Sequence, residues 1–162
     1  EKVHDDAVRH GILAEVLADL ILELAAYEKL RDQANPDPGA LRRQLRPDAQ
    51  PRVEAVLAEN RGATAIGFAL FFRNYSTFLT NFGMYLEDLY VRPVHRERGV
   101  GGALLRRVAR IAQERGCQRL DWAVLDWNAP AIAFYESLGA EPLDDWTTMR
   151  LSAEAISDVA DA

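Results

Sequence analysis

Apolar residues recur at intervals of three and four between Leu13 and Arg31, through Val16, Leu17, Leu20, Ile21, Leu24 and Tyr27. That spacing predicts one amphipathic helix. The stretch Asn35-Pro36-Asp37-Pro38-Gly39 stops it, and Leu41–Leu45 has room for a helical turn before Pro47. Arg52–Ala58 alternates apolar and polar positions as a half-buried strand does, while Ala63–Arg73 is a continuous apolar run that suits a strand buried on both faces. Met84–Val91 reads as a further strand, closed by Pro93. From Val100 to Arg115 the three-four spacing returns, with Val100, Leu104, Val108 and Ile111 on the inner face and Arg106, Arg107 and Arg110 outside. A strand at Arg119–Leu125, a helix at Ala129–Leu138 and a last strand at Trp146–Leu151 complete the pattern. Ala7–His10 carries a weaker signal for a first strand, and the tail from Ser152 reads as frayed. Strands prevail early and strand–helix alternation late, which predicts an α/β (α+β) fold with a mixed sheet and helices on its faces.

Composition narrows the picture. The 162 residues, 49% of them hydrophobic, suffice for one cored domain, here residues 1–151 followed by a tail at 152–162. A net charge of −6 argues against a protein that grips nucleic-acid phosphates and suits a cationic small molecule. The greasiest stretch, Ile12–Ala26, is interrupted by Glu15, Asp19 and Glu23, so no membrane span is expected. The first residues do not read as a signal peptide, and the one cysteine, Cys117, allows no intrachain disulfide. A cytoplasmic location is the expectation. The three histidines, His4, His10 and His95, are scattered and offer no metal-ligand spacing.

Candidate chemistry begins at "RERGVGGALLRRVARIAQERG", residues 96–116. A P-loop would need Gly-Lys-Ser/Thr at the helix start, and a dinucleotide fingerprint would need glycine where Leu104 stands. The spacing present is Arg96-x-x-Gly99-x-Gly101, then Gly102. Glycines permit close backbone approach, and the free N–H groups and positive dipole end of a helix start favour an anion. Taken alone, the loop fits an anion site and a plain tight turn equally.

Its flanks favour the anion. Leu86–Val91, then Arg-Pro, then Arg96-x-x-Gly-x-Gly resembles motif A of the GNAT acetyltransferase superfamily, whose loop amides hold the pyrophosphate of acetyl-coenzyme A. "DWNAPAIAFYESLGAEP", residues 126–142, resembles that family's second coenzyme segment. The likeness runs from about Val8 onward. "ELAAYE" (23–28), "YLEDLYV" (85–91) and "WNAPAIAFYESLGA" (127–140) resemble more narrowly the spermidine/spermine branch, which includes diamine and thialysine acetyltransferases. Arg9-His10-Gly11 departs from the family's usual Arg-Pro-Ala, and the segment after Glu28 is rewritten around Pro36 and Pro38. The resemblance implies a mostly antiparallel sheet of six to seven strands with about four helices, and a homodimer.

It also implies roles. The backbone of Arg98, Gly99, Val100, Gly101 and Gly102, helped by Arg96, would hold the pyrophosphate. The main chain of Leu89, Tyr90 and Val91 would pair with the pantetheine arm, an N–H near Val91 serving as oxyanion donor. Asn128 would contact pantetheine, and it is equally an N-cap for a helix with an early proline. Tyr135 matches the general acid that protonates the leaving thiolate, and Glu87 a base acting through water. Only about a thousandth of an aliphatic amine with a pKa of ~10.4 is neutral at physiological pH, so a base has work to do. Asp88, Tyr27 and Glu28 match substrate-side positions, and Asp126, Asp144, Asp145 and Trp146 would add an acidic, aromatic wall. Strand alternation sends Glu87 and Asp88 to opposite faces. Phe134 and Tyr135, being adjacent, cannot both enter one core site. His95 reads as a surface residue and Cys117 as structural.

The expected activity is direct acetyl transfer from acetyl-coenzyme A to a small cationic amine: polyamine, diamine or lysine-like. The alternatives are a GNAT acting on a protein lysine or N-terminus, and a non-catalytic acyl-coenzyme A sensor. The arginine stripe of the 100–115 helix would be a solvated face or a contact to the coenzyme's outer phosphate.

Overall fold

The computed structural model describes residues 2–4 and 12–162. The strand expected at Ala7–His10 lies outside them. Contacts divide the chain into two compact units, residues 1–123 and 124–162.

The first unit is built on a five-stranded sheet in the order β1-β2-β3-β4-β5. Its strands are β1 (Lys2–His4), β2 (Glu54–Glu59), β3 (Ala65–Ser76), β4 (Asn81–Val91) and β5 (Leu120–Trp122). Neighbours from β1 to β4 are antiparallel and β4–β5 is parallel, so the sheet is mixed and mostly antiparallel as expected. The described residues give five strands where six to seven were expected. The parallel pair needs a crossover, supplied by α3 (Val100–Glu114).

α1 (Ile12–Tyr27) lies on one face. Leu17, Leu20 and Leu24 pack there with Ala55, Leu57, Phe68, Leu70 and Tyr90. On the other face α3 buries Val100, Leu104, Val108 and Ile111, its expected inner row, and Leu105 with them. Of its arginines, Arg106 and Arg110 are exposed, but Arg107 is half-buried and reaches Glu114 at 3.9 Å.

α1 stops at Tyr27, short of the expected Arg31. Leu30 N–H donates to Ala25 O (2.8 Å) and Lys29 N–H to Ala26 O (3.2 Å), closing the helix in a Schellman turn. Lys29 takes the left-handed position usual for glycine, φ 62°. α2 (Pro38–Gln44) begins earlier than the expected turn because Asp37 caps it, accepting from Gly39 N–H, and Pro38 presets its first φ.

In the second unit, α4 (Ala129–Ser137) starts as expected. Two expectations fail there. Trp146–Leu151 forms no strand: among the described residues it has no ladder partner, Trp146 is 76% exposed, and strand propensity counts only where such a partner exists. The tail is not frayed either, because Ser152 caps α5 (Ala153–Ala160), its Oγ accepting from Ala155 N–H at 3.2 Å. With α5 the described helices number five, where about four were expected.

Candidate active site

β4 changes character at Glu87. On the β3 side, Leu86 pairs with Phe71 and Asp88 with Leu70, leaving Glu87 as the extra residue of a β-bulge. Directly paired residues share a face. Leu86 therefore keeps the face of Phe71, and Asp88 and Tyr90 keep the opposite face with Leu70 and Phe68. Strict alternation, which separated Glu87 from Asp88, ends at this bulge. On the β5 side the ladder runs only from Met84↔Leu120 to Leu86↔Trp122. Among the described residues, Glu87 to Val91 pair with β3 alone, which leaves backbone groups on the other edge for an extended ligand.

Three carboxylates gather here. Burial pushes Asp88 up to about 7, and the charges of Glu87 and Glu28 push in the same direction. Glu28, half-buried just past the end of α1, is itself raised by burial. Glu87 is exposed. An ammonium group would relieve this repulsion, which makes the site attractive to a cation. Tyr85, stacked with Phe72 at 5.3 Å, is raised by burial and then by Glu87 and Asp121.

At the far end of β4 the chain turns into α3 through a cationic loop. Glu97 (φ 60°) and Gly99 (φ 79°) are left-handed, and Gly99 caps α3 with no side-chain bond. Ala103 N–H donates to Gly99 O, so the amides of Val100, Gly101 and Gly102 precede the first intrahelical bond. Backbone donors at a dipole's positive end suit an anion such as a pyrophosphate. Arg96 is engaged differently from the expectation that it would help hold this anion. Its Nε–H donates to Val91 O (2.9 Å) and its guanidinium stacks 4.3 Å from the Tyr27 ring centroid, with the Tyr90 ring at 5.7 Å. Arg96 thus ties the end of α1, where Tyr27 and Glu28 stand, to the loop that opens α3.

Sequence reasoning missed the second tie. Arg92 donates to both Glu23 oxygens, Nη2 at 2.7 Å and Nε at 3.0 Å, and through Nη1 to Ala65 O at 2.8 Å. Tyr90 Oη–H also donates to Glu23, at 3.3 Å. The partners are 69 residues apart, so no local pattern could reveal them. Tyr90 keeps only its main chain for a ligand on this edge, since its side chain is buried.

The second unit carries the remaining expected residues. Asn128 is buried and caps α4, Oδ1 accepting from Ala131 N–H at 3.4 Å. Tyr135 is half-buried with the Phe134 ring 5.2 Å away, while Asp126 and Trp146 are exposed. Among the described residues no His/Cys/Asp/Glu group is arranged to hold a metal, and no helix is long and apolar enough to cross a membrane.

Comparison with known proteins gives a consistent result. The pattern of the acetyltransferase (GNAT) family matches residues 19–140. A thialysine N-epsilon-acetyltransferase of Bos taurus is 38% identical over 150 residues, covering 87% of this chain and 88% of that protein. An L-ornithine N5-acetyltransferase of Arabidopsis thaliana is 43% identical over 93 residues, 57% of this chain and 41% of that protein. Among solved structures, an integron cassette protein of V. cholerae superimposes with a TM-score of 0.79 at 24% identity, covering 99% of this chain and 98% of that one.

Proposed function

The chain belongs to the acetyltransferase (GNAT) family, whose donor is acetyl-coenzyme A, and on that footing we propose that it acetylates the terminal amine of a small cationic substrate. The observation that carries this reading is the carboxylate group Glu28, Glu87 and Asp88, standing where β4 leaves β5. A terminal ammonium is the ligand such a group favours. The names of the bovine and Arabidopsis relatives specify a thialysine ε-amine and an ornithine N5 amine, both terminal amines on flexible chains. The family match, residues 19–140, runs across the division at residue 123, which supports reading the chain as one catalytic domain, placed here at residues 1–151. A homodimer and a cytoplasmic location complete the proposal, the latter in keeping with a free cysteine, Cys117.

The amides of Arg98 to Gly102 hold the pyrophosphate, and the open edge of Leu89–Val91 pairs with the pantetheine arm. Asp88 and Glu28 hold the ammonium, with Tyr27 set in place by Arg96. Glu87 takes the amine proton through a water. The nitrogen lone pair forms the C–N bond to the acetyl carbon while the C–S bond breaks. Tyr135 gives its proton to the leaving thiolate, and the surplus proton on the newly acylated nitrogen passes, through water, to the tyrosinate and restores it. Asn128 supports the pantetheine arm, and Asp126 and Trp146 add to the amine side.

A coenzyme A release assay tests this with thialysine, ornithine, spermidine, putrescine, lysine and a lysine peptide. Turnover of a small amine is expected, falling about 10²–10⁴-fold in Tyr135→Phe. Turnover of the peptide alone would redirect the reading to a protein substrate. Acetyl-coenzyme A binding without any turnover would favour a sensor.

A further inference from the structure

The bulge at Glu87 has a second effect on β4. In a regular strand Tyr85 and Asp88, three residues apart, would face opposite ways. Tyr85 pairs with Phe72 and Asp88 with Leu70, and Leu70 and Phe72 are two apart on β3. The extra residue therefore brings Tyr85 and Asp88 onto one face. Across the parallel ladder Tyr85 also pairs with Asp121 of β5. Asp121 thus shares the face of Asp88, about 7 Å further along the sheet and about 5 Å across it.

The far end of this track is built over a glycine. A Cβ at Gly83 would stand 2.5 Å from Asn74 Oδ1 and 2.9 Å from Arg119 Cγ, so these two side chains close over bare backbone. There Asn74 Nδ2 donates to Asp121 Oδ2 at 3.2 Å, and Arg119 Nε lies 2.9 Å from the same oxygen. Arg119 Nη2 donates to Tyr75 O at 3.2 Å. A carboxylate and a guanidinium are held side by side in this way, and both stay accessible, 31% and 38% exposed. Between them and Asp88 lie the rings of Tyr85 and Phe72, their centroids 5.3 Å apart, as an apolar floor. The Tyr85 phenol is raised by burial and then by the charges of Glu87 on one side and Asp121 on the other, which marks it as the midpoint of the track.

The two ends differ in charge. Glu28, Glu87 and Asp88 gather at one, which suits a lone ammonium. At the other, one carboxylate stands with one guanidinium, which suits a group bearing both signs. An α-amino-acid head is such a group: its ammonium meets Asp121 and its carboxylate meets Arg119. The aliphatic side chain of lysine or ornithine spans a distance of this order and needs an apolar floor. The second ammonium of a diamine would meet Asp121 with a like charge, Arg119, beside it.

We propose that Asp121 and Arg119 recognise the α-ammonium and α-carboxylate of the substrate, so that the preferred amine is a diamino acid and not a diamine or polyamine. The inference rests on the amine reading above and selects among its substrates. Asn74 is a positioning residue that holds Asp121 in place.

Matched probes exist, since putrescine is ornithine without its carboxylate and cadaverine is lysine without it. The measurement is kcat and KM of the full chain for both pairs, and for spermidine, at saturating acetyl-coenzyme A. The native protein is expected to favour each diamino acid over its diamine by about tenfold or more in kcat/KM, the difference lying in KM. Arg119→Ala should abolish that ratio by weakening the diamino acids alone, with the diamines unchanged or improved. Arg119→Lys, which keeps the charge and loses the fork, should retain part of it. Asp121→Asn should raise KM about tenfold for diamino acid and diamine alike, since both present the second ammonium. Each ratio is internal to one protein, so a variant that is merely less stable would leave it unchanged. A native protein that favours the diamines overturns the recognition pair and leaves the amine reading standing. So does an Arg119→Ala protein that keeps the native ratio, an Asp121→Asn protein with native KM values, or turnover of spermidine alone. Turnover of none of the five amines overturns the amine reading as well.

Discussion

The two halves of β4 do opposite work. Asn81–Leu86 is laddered on both sides by its end, and Met84 and Leu86 are 0% and 1% exposed. Among the described residues Glu87–Val91 keeps one neighbour; it carries two carboxylates and leads into the glycine loop before α3. One inserted residue, Glu87, marks the change. An unpaired edge offers its N–H and C=O groups to another extended chain, and the difference between the halves makes the second half the candidate for such a ligand. In the first half, side-chain chemistry is subordinate to packing. In the second, packing is subordinate to chemistry, and Asp88 shows it by sitting where its own charge is disfavoured.

The comparison can be broken most forcefully by exchanging losses between the halves. Glu87→Gln should lower kcat/KM about 10²–10⁴-fold. The same variant should stay within about 0.5 kcal/mol of native stability, since Glu87 is exposed. Leu86→Ala should do the reverse, costing about 2–5 kcal/mol in urea unfolding while the folded fraction keeps its kcat. A Glu87→Gln protein that is fully active, or unfolded, would erase the distinction.

Gly67→Ala sharpens it from the neighbouring strand. A Cβ at Gly67 would stand 2.5 Å from Tyr90 O, so β3 must move away from the functional half. A cost of about 1–3 kcal/mol is expected, together with a raised KM for acetyl-coenzyme A. An unchanged KM would show that this edge does not position the coenzyme.

The smallest effect concerns stability and pH. Asp88 has its folded pKa raised from 3.8 to about 7, so folding favours its neutral form. That contribution is fully present below about pH 4 and is lost as pH rises through about 7. Asp88→Asn should match the native protein in acid and exceed it above pH 7 by about 2 kcal/mol, after allowance for partial solvent contact. Tm measured at pH 5 and pH 8 for both proteins checks the sign; an equal gap at both values would refute it.

Much of this was legible in the sequence, and what was not has definite causes. The periodic stretches of α1 and α3 and the apolar run of β3 appear close to where their patterns place them, because each buries a continuous face. The glycine loop was legible in part because its left-handed position at Gly99, φ 79°, favours glycine. Strand alternation failed at Glu87 because a bulge adds one residue without changing composition. Trp146–Leu151 has strand-forming residues but, among the described residues, no ladder partner, a condition composition does not encode. The Ser152 cap with Glu154 behind it was a readable helix start, passed over because terminal segments are expected to fray. Ties such as Glu23–Arg92 and the Arg96–Tyr27 stack join distant segments and leave no local signature.

The central claim is that the amine is met by the carboxylates of the second half of β4. The pH dependence of kcat/KM for the amine, at saturating acetyl-coenzyme A, tests it most directly in the native protein and Asp88→Asn. The native profile should rise through a limb near pH 7 as Asp88 ionises to receive the ammonium, and the variant should lose that limb. A limb unchanged in Asp88→Asn would place the amine elsewhere.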